Sequence, residues 1–162
     1  MMLPVTMTFA AVAVLINMWL AVRIGRVRIA DKTLHGDGGN AMLARRIRAH
    51  SNFIEYTPLV LILCGLVEMA RGSAIWLWAI MLIYSFGRVA HGFGMDSDQP
   101  GPARGGGIMV TFATMLVLAA RQYRHSTGIQ RLPAALLSLG STFGVALCLA
   151  VTLPLVRAVT VI

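Results

Sequence analysis

Long stretches without a charged residue alternate with short polar segments along this chain, and that alternation predicts helices sized for a bilayer. No Asp, Glu, Lys or Arg occurs at 1–22, 72–87, 105–120 or 132–156, and a shorter charge-free run, 56–67, continues a polar helical pattern that begins before it. About 20 apolar residues cross a hydrocarbon core of about 30 Å. The first and last stretches reach that length by themselves; the three in the middle do so only if their polar flanks lie within the protein or at the interface. Polar residues at membrane depth are costly and face a bundle interior, so those flanks are where function is to be sought.

The pattern predicts helix I over 4–26, with a proline in its first turn, and then a turn-forming segment, His35-Gly36-Asp37-Gly38-Gly39-Asn40. Helix II is expected over 41–69, kinked by Pro58. A link at 71–73 leads to helix III over 74–92, a polar loop at 95–102, helix IV over 103–123 and a fifth apolar helix over 132–157. The fold class expected is an all-α membrane protein. A four-helix transmembrane bundle occupies 1–131, and an additional C-terminal transmembrane helix lies within 132–162 of the same domain. The first stretch has no Lys or Arg and no small-x-small cleavage pattern before Arg23, so it reads as a membrane helix and not as a signal peptide.

Composition agrees. Of the 162 residues 57% are hydrophobic and 12% charged, and the mean hydropathy is +0.76, whereas about 25% of a soluble domain is charged. The net charge of +8 would suit nucleic acid, but its placement argues otherwise. Arg23, Arg26, Arg28, Lys32, Arg45, Arg46 and Arg48 cluster around the first loop against Asp31 and Asp37 alone, the excess expected of a cytoplasmic loop. The N-terminus is then outside and the loop at 95–102 cytoplasmic. The link carrying Arg121, Arg124 and Arg131 falls outside, against the same rule. Cys64 and Cys148 lie in apolar stretches and read as packing residues, with neither a disulfide nor a metal site expected.

Candidate chemistry concentrates in Arg45-Arg46-Ile47-Arg48-Ala49-His50-Ser51-Asn52-Phe53-Ile54-Glu55-Tyr56-Thr57-Pro58-Leu59. Arg48, Asn52, Glu55 and Leu59 recur at helical spacing and line one face, with Tyr56 beside them. Arginine and asparagine hold carboxylates and glutamate takes an α-amino group, so this face suits a zwitterionic peptide. The competing reading is an ion pair that fixes helix packing, Glu55 with Arg88 or with Arg48. On helix III, Arg88 and His91 are one turn apart; Arg104 opens helix IV beside Gly105-Gly106-Gly107. Taken alone, Arg104 reads as an interfacial anchor and His91 as an interfacial hydrogen-bonding residue. A haem held between His50 and His91 has a single possible pair and no further spacing signal behind it. The glycines at 36–39 are not followed by the Lys-Ser/Thr of a phosphate loop.

The run Arg-Ala-His-Ser-Asn-Phe-Ile-Glu-Tyr-Thr-Pro-Leu at 48–59 resembles the helix II signature of the MAPEG superfamily, the membrane-associated proteins in eicosanoid and glutathione metabolism. Arg48, Ala49, Asn52, Glu55, Tyr56, Pro58 and Leu59 match the leukotriene C4 synthase pattern in type and spacing. Tyr84-Ser-Phe-Gly-Arg88 and the Gly-Pro-x-Arg104 opening of helix IV extend the likeness over 1–121, and the compact form looks most like bacterial members.

The resemblance implies a four-helix bundle that assembles as a homotrimer in a bacterial inner membrane. Glutathione would be the co-substrate, bound between subunits near the cytoplasmic face. It implies glutathione contacts from Arg48, Asn52, Glu55, Tyr56, Arg88 and the His91 position, and from His50, Arg23 or Arg26 of the neighbouring subunit. Arg104 would stabilise the thiolate, given a two-residue insertion in the loop before it. The implied activity is a transferase or peroxidase acting on lipophilic electrophiles that arrive through the bilayer, with no metal and no nucleic acid. A non-catalytic protein using the same scaffold for assembly or ligand sensing is the alternative. Two departures stand out: tyrosine positions of the eicosanoid enzymes are His91 and Met95 here, and the fifth helix has no counterpart.

Overall fold

The computed structural model of the chain describes residues 2–99 and 101–126, all of whose regular structure is α-helical: α1 (Pro4–Ala30), α2 (Ala41–Arg71), α3 (Ile75–Gly94) and α4 (Pro102–Ser126). Each helix begins within one residue of the position expected from the sequence and runs two to four residues past its expected end. The fifth helix expected at 132–157, and the boundary before it, lie outside the described residues. α1, α2 and α4 are long and apolar enough to cross a membrane. α3 is shorter and carries Arg88 and His91, both buried, within its apolar sequence.

Neighbouring helices run antiparallel. At one end of the bundle α1 starts where α2 stops. The Glu68 carboxylate, buried near the end of α2, accepts the backbone N–H groups of Val5 and Thr6, each at 2.9 Å, and the hydroxyls of Thr6 and Ser73, each at 2.7 Å. α1 has no side-chain cap of its own, so Glu68 supplies one from 63 residues away, with the negative charge set against the positive end of the helix dipole. At the other end, Asn40 caps α2 through Met42 and Leu43. The glycines before it adopt left-handed backbone at Gly36, Gly38 and Gly39. Helix α2 continues through Pro58 without interruption.

The same end holds an arginine–aspartate knot. Arg23, from α1, pairs with Asp96 in the α3–α4 loop, donates to the carbonyl of Gly92 at 2.9 Å, and lies over the rings of Trp19 and Phe93. Arg46, from α2, reaches the same carboxylate at 3.0 Å and the carbonyl of Arg23 at 3.1 Å. Arg45 pairs with Asp98 at 2.5 Å. The basic first loop and the 95–101 loop are thereby gathered at one end of the bundle.

The interior mixes apolar and polar side chains, while the outward surface carries many large apolar ones. Val5, Phe9, Val60, Cys64, Val67, Leu77, Met81, Tyr84 and Leu118 form one buried cluster, and Ile16, Leu20 and Phe53 a second. Arg23, Asn52, Thr57, Glu68, Arg88, His91, Thr111 and Thr114 are buried with them, while Leu15, Ile62, Ile75, Phe86 and Leu116 face outward. In lipid an exposed leucine has no reason to seek the interior, and helix association rests on close packing and interhelical hydrogen bonds. α3 and α4 approach closely through glycine: a Cβ on Gly107 would lie 2.5 Å from the carbonyl oxygen of Gly87 and 2.6 Å from Cβ of His91.

Candidate functional site

The helix II face divides in two once α2 is packed. At about 100° per residue, Ala49, Phe53, Thr57 and Val60 mark the buried direction, and Arg48, Glu55 and Leu59 fall well away from it. Arg48 and Glu55 are exposed and pair with each other at 3.3 Å across two turns. Asn52 and Tyr56 stand between, on the flank that turns toward α3 and α4. Asn52 is 9% exposed, and Tyr56 makes an edge-to-face contact with Phe112 of α4, ring centres 5.5 Å apart.

Arg88 forms the floor. Only 1% of it is exposed. Its NH1 group donates to Oδ1 of Asn52 at 2.9 Å and to the hydroxyl of Thr111 at 3.2 Å. Thr111 in turn donates to the carbonyl of Gly107 at 3.0 Å. The Phe53 ring lies 5.5 Å from the guanidinium carbon, and Nε has no hydrogen-bond partner among the described residues. No carboxylate lies within ion-pair distance of Arg88 among the described residues. Tyr84, one turn before Arg88 on α3, shares a 2.8 Å hydrogen bond with Thr57. The ion pair that sequence reading entertained between Glu55 and Arg88 is not formed: Glu55 takes Arg48 as its partner, and Arg88 takes neutral oxygens.

His91 is buried one turn beyond Arg88, and its Nδ1 is 2.9 Å from the backbone carbonyl of Arg104, which accepts from the ring N–H. Gly94 packs on the same segment, where an added Cβ would sit 2.5 Å from the backbone nitrogen of Arg104. The start of α4 is thus fixed by its main chain, while the half-buried Arg104 guanidinium makes no hydrogen bond or ion pair with the described residues. Asn52, Tyr56, Arg88, His91 and Arg104 therefore belong to one connected patch across α2, α3 and α4, with Arg48 and Glu55 on its outer rim.

Three residues lie elsewhere. His50 is on the other side of α2, where its Nε2 is 2.8 Å from Oδ1 of Asn17 in α1; with His91 turned to Arg104, the two histidines are committed to separate partners. Arg23 is buried in the Asp96 knot, and Arg26 is exposed on α1. Of these two arginines, Arg26 is the one presented outward. Sequence reading passed over Thr111, Glu68 and Asp96. Thr111 carried no local signal, but an acidic residue at the end of an apolar helix, as Glu68 is, marked a group in need of donors.

The MAPEG family model matches residues 6–123 of this chain. Over 91 residues, 56% of this chain and 69% of the relative, the chain is 31% identical to inner membrane protein YecN of Escherichia coli strain K12. The YecN of Escherichia coli O6:H1 matches to the same extent. The family match takes in all of α2 and α3 with the greater part of α1 and α4, including every residue of the patch, and the chain belongs to the MAPEG family.

Proposed function

We propose that this protein is a glutathione-dependent transferase or peroxidase of a bacterial inner membrane, acting on lipophilic electrophiles. In this reading all four helices cross the bilayer, the chain forms a homotrimer, and the site opens toward the cytoplasm. Charge complementarity carries it. Arg48, Arg88 and Arg104 are three cations to one carboxylate, Glu55, which pairs with Arg48, so the patch holds two surplus positive charges. Glutathione as its thiolate carries two carboxylates, an ammonium and a sulfur anion, two net negative charges. A buried cation without a counter-ion, as Arg88 is among the described residues, is expensive, and an anionic ligand nearby offsets that cost.

Each group has a task. Arg48 and Asn52 hold carboxylate or carbonyl oxygens, Glu55 exchanges Arg48 for the ligand's ammonium, and Tyr56 offers its hydroxyl. Arg26 belongs to the face presented to a neighbouring subunit, and His50 would have to exchange its Asn17 partner to reach across to it. Arg104, whose guanidinium has no partner among the described residues, is the group for the sulfur. A free thiol of pKa about 8.5 is mostly protonated at neutral pH, and an adjacent guanidinium favours the anion. In conjugation, the thiolate forms a sulfur–carbon bond and the leaving group departs with the bonding electrons. In peroxide reduction, the thiolate takes the distal oxygen as sulfenic acid and releases the alcohol; a second glutathione then yields disulfide and water.

The test is equilibrium glutathione binding to detergent-purified protein, with thiolate absorbance followed as pH rises. Saturable binding with the thiol titrating well below its free value is expected, and Arg48→Ala and Glu55→Gln should abolish binding while the trimer persists. No binding at millimolar glutathione, or loss of assembly without a separate binding defect, would return the patch to a role in packing or non-catalytic assembly.

A further inference from the structure

The arrangement beneath Asn52 leaves its two faces chemically unequal. Arginine offers only donors, so the Asn52 atom that Arg88 approaches at 2.9 Å is the oxygen, and the usual ambiguity between amide oxygen and nitrogen does not arise. The second N–H of the same Arg88 NH1 group goes to Thr111. Thr111 spends its own proton on the Gly107 carbonyl, which leaves a lone pair for the arginine. Both hydrogens of NH1 are accounted for, and Asn52 Oδ1 is held inward. On the other side of the amide, Nδ2 has no partner among the described residues. It lies one helical turn from Arg48 and one from Tyr56, on the flank of α2 that reaches the surface.

We propose that Arg88, steadied by Thr111, is a positioning residue that makes Asn52 an obligate hydrogen-bond donor, so that the site accepts only a ligand presenting an acceptor oxygen at that point. This inference rests on the glutathione reading and names the polarity of one contact within it. A carboxylate or carbonyl oxygen satisfies the amide N–H groups. A ligand with an amide N–H₂ there sets donor against donor and leaves that contact unmade, a mismatch that discriminates more strongly than a difference in shape. Arg88 does not touch the ligand in this arrangement; its charge enters through the asparagine it orients.

Asn52→Asp tests this, because aspartate has nearly the same shape and pairs with the buried Arg88. The fold is kept while the outward group changes from donor to acceptor. Asn52→Ala, which removes the amide without reversing its polarity, is measured beside it. In detergent, Asn52→Asp should melt at or above the wild-type temperature, yet bind glutathione at least about tenfold more weakly, and more weakly than Asn52→Ala. Glutathione analogues with one or the other carboxylate converted to an amide complete the set. One of them should bind Asn52→Asp better than glutathione does, reversing the wild-type preference. If wild type binds glutathione and Asn52→Asp binds it equally well, or if neither amide analogue is preferred by the variant, the donor assignment falls and the glutathione reading stands. If wild type does not bind glutathione, both fall together.

Discussion

Replacing Glu68 tests whether a single buried carboxylate fixes the register of α1. Each of its oxygens takes two donors: Val5 N–H and the Ser73 hydroxyl on Oε1, Thr6 N–H and the Thr6 hydroxyl on Oε2. In Glu68→Gln one oxygen becomes an amide nitrogen. The hydroxyl on that side can rotate to accept, but a backbone N–H cannot, so one main-chain donor at the start of α1 is orphaned and the charge facing the helix dipole is lost. A charge-assisted hydrogen bond contributes about 1.5–3 kcal/mol, and loss of an N-cap costs about 0.5–2 kcal/mol. These describe overlapping effects, so about 1–3 kcal/mol is expected for Glu68→Gln. Glu68→Ala orphans both backbone donors, and the expected loss rises to about 2–4 kcal/mol. Reversible unfolding in mixed micelles measures the difference, and hydrogen exchange at Val5 and Thr6 localises it. The cap should also be felt far away, because the same α1 register brings Asn17 to His50 and Arg23 to Asp96. Unchanged stability in both variants, or exchange at Val5 and Thr6 no faster than in wild type, would refute the reasoning.

Asp96 is expected to matter where Asp98 does not. Asp96→Asn leaves Arg23 and Arg46 without their shared anion and should destabilise by about 1–3 kcal/mol, below the range for a fully buried pair because Asp96 is partly exposed. Asp98→Asn removes a largely solvated carboxylate and should change unfolding by less than about 1 kcal/mol. Gly107→Ala should destabilise by roughly 1–3 kcal/mol through overpacking. Gly106→Ala, where nothing lies within 4 Å of the added carbon, should be neutral or slightly stabilising in the same unfolding assay. For Arg104→Ala, single-turnover kinetics should show the chemical step slowed more than glutathione affinity is weakened, with the bound thiol titrating nearer its free value; equal rates for variant and wild type would remove Arg104 from the mechanism.

Helix number among the described residues, and the start of every helix within one residue, followed from the spacing of charges together with the proline, glycine and polar turn signals along the chain. The reason is the bilayer: a charge-free stretch of helical length has few alternatives in lipid, where every backbone group must find its partner within the same segment. The stretch from Arg48 to Tyr56 stood out as a candidate site for the same reason, since polar residues at membrane depth need an explanation. The partners of those residues were not legible. Helical periodicity placed Asn52 with Arg48 and Glu55, but a rotation of about 60° between Asn52 and Glu55 is enough to put one against α3 and leave the other outside. Only the packing of α2 decided that Arg88 would hold an asparagine oxygen and a threonine hydroxyl in place of a carboxylate. Glu68 and Asp96 were not singled out from the sequence, because the donors that satisfy them come from α1, from the α2–α3 link, and from two arginines on different helices. Local sequence sets which groups must be satisfied; which groups satisfy them depends on contacts between residues tens of positions apart, and those exist only once the bundle has closed.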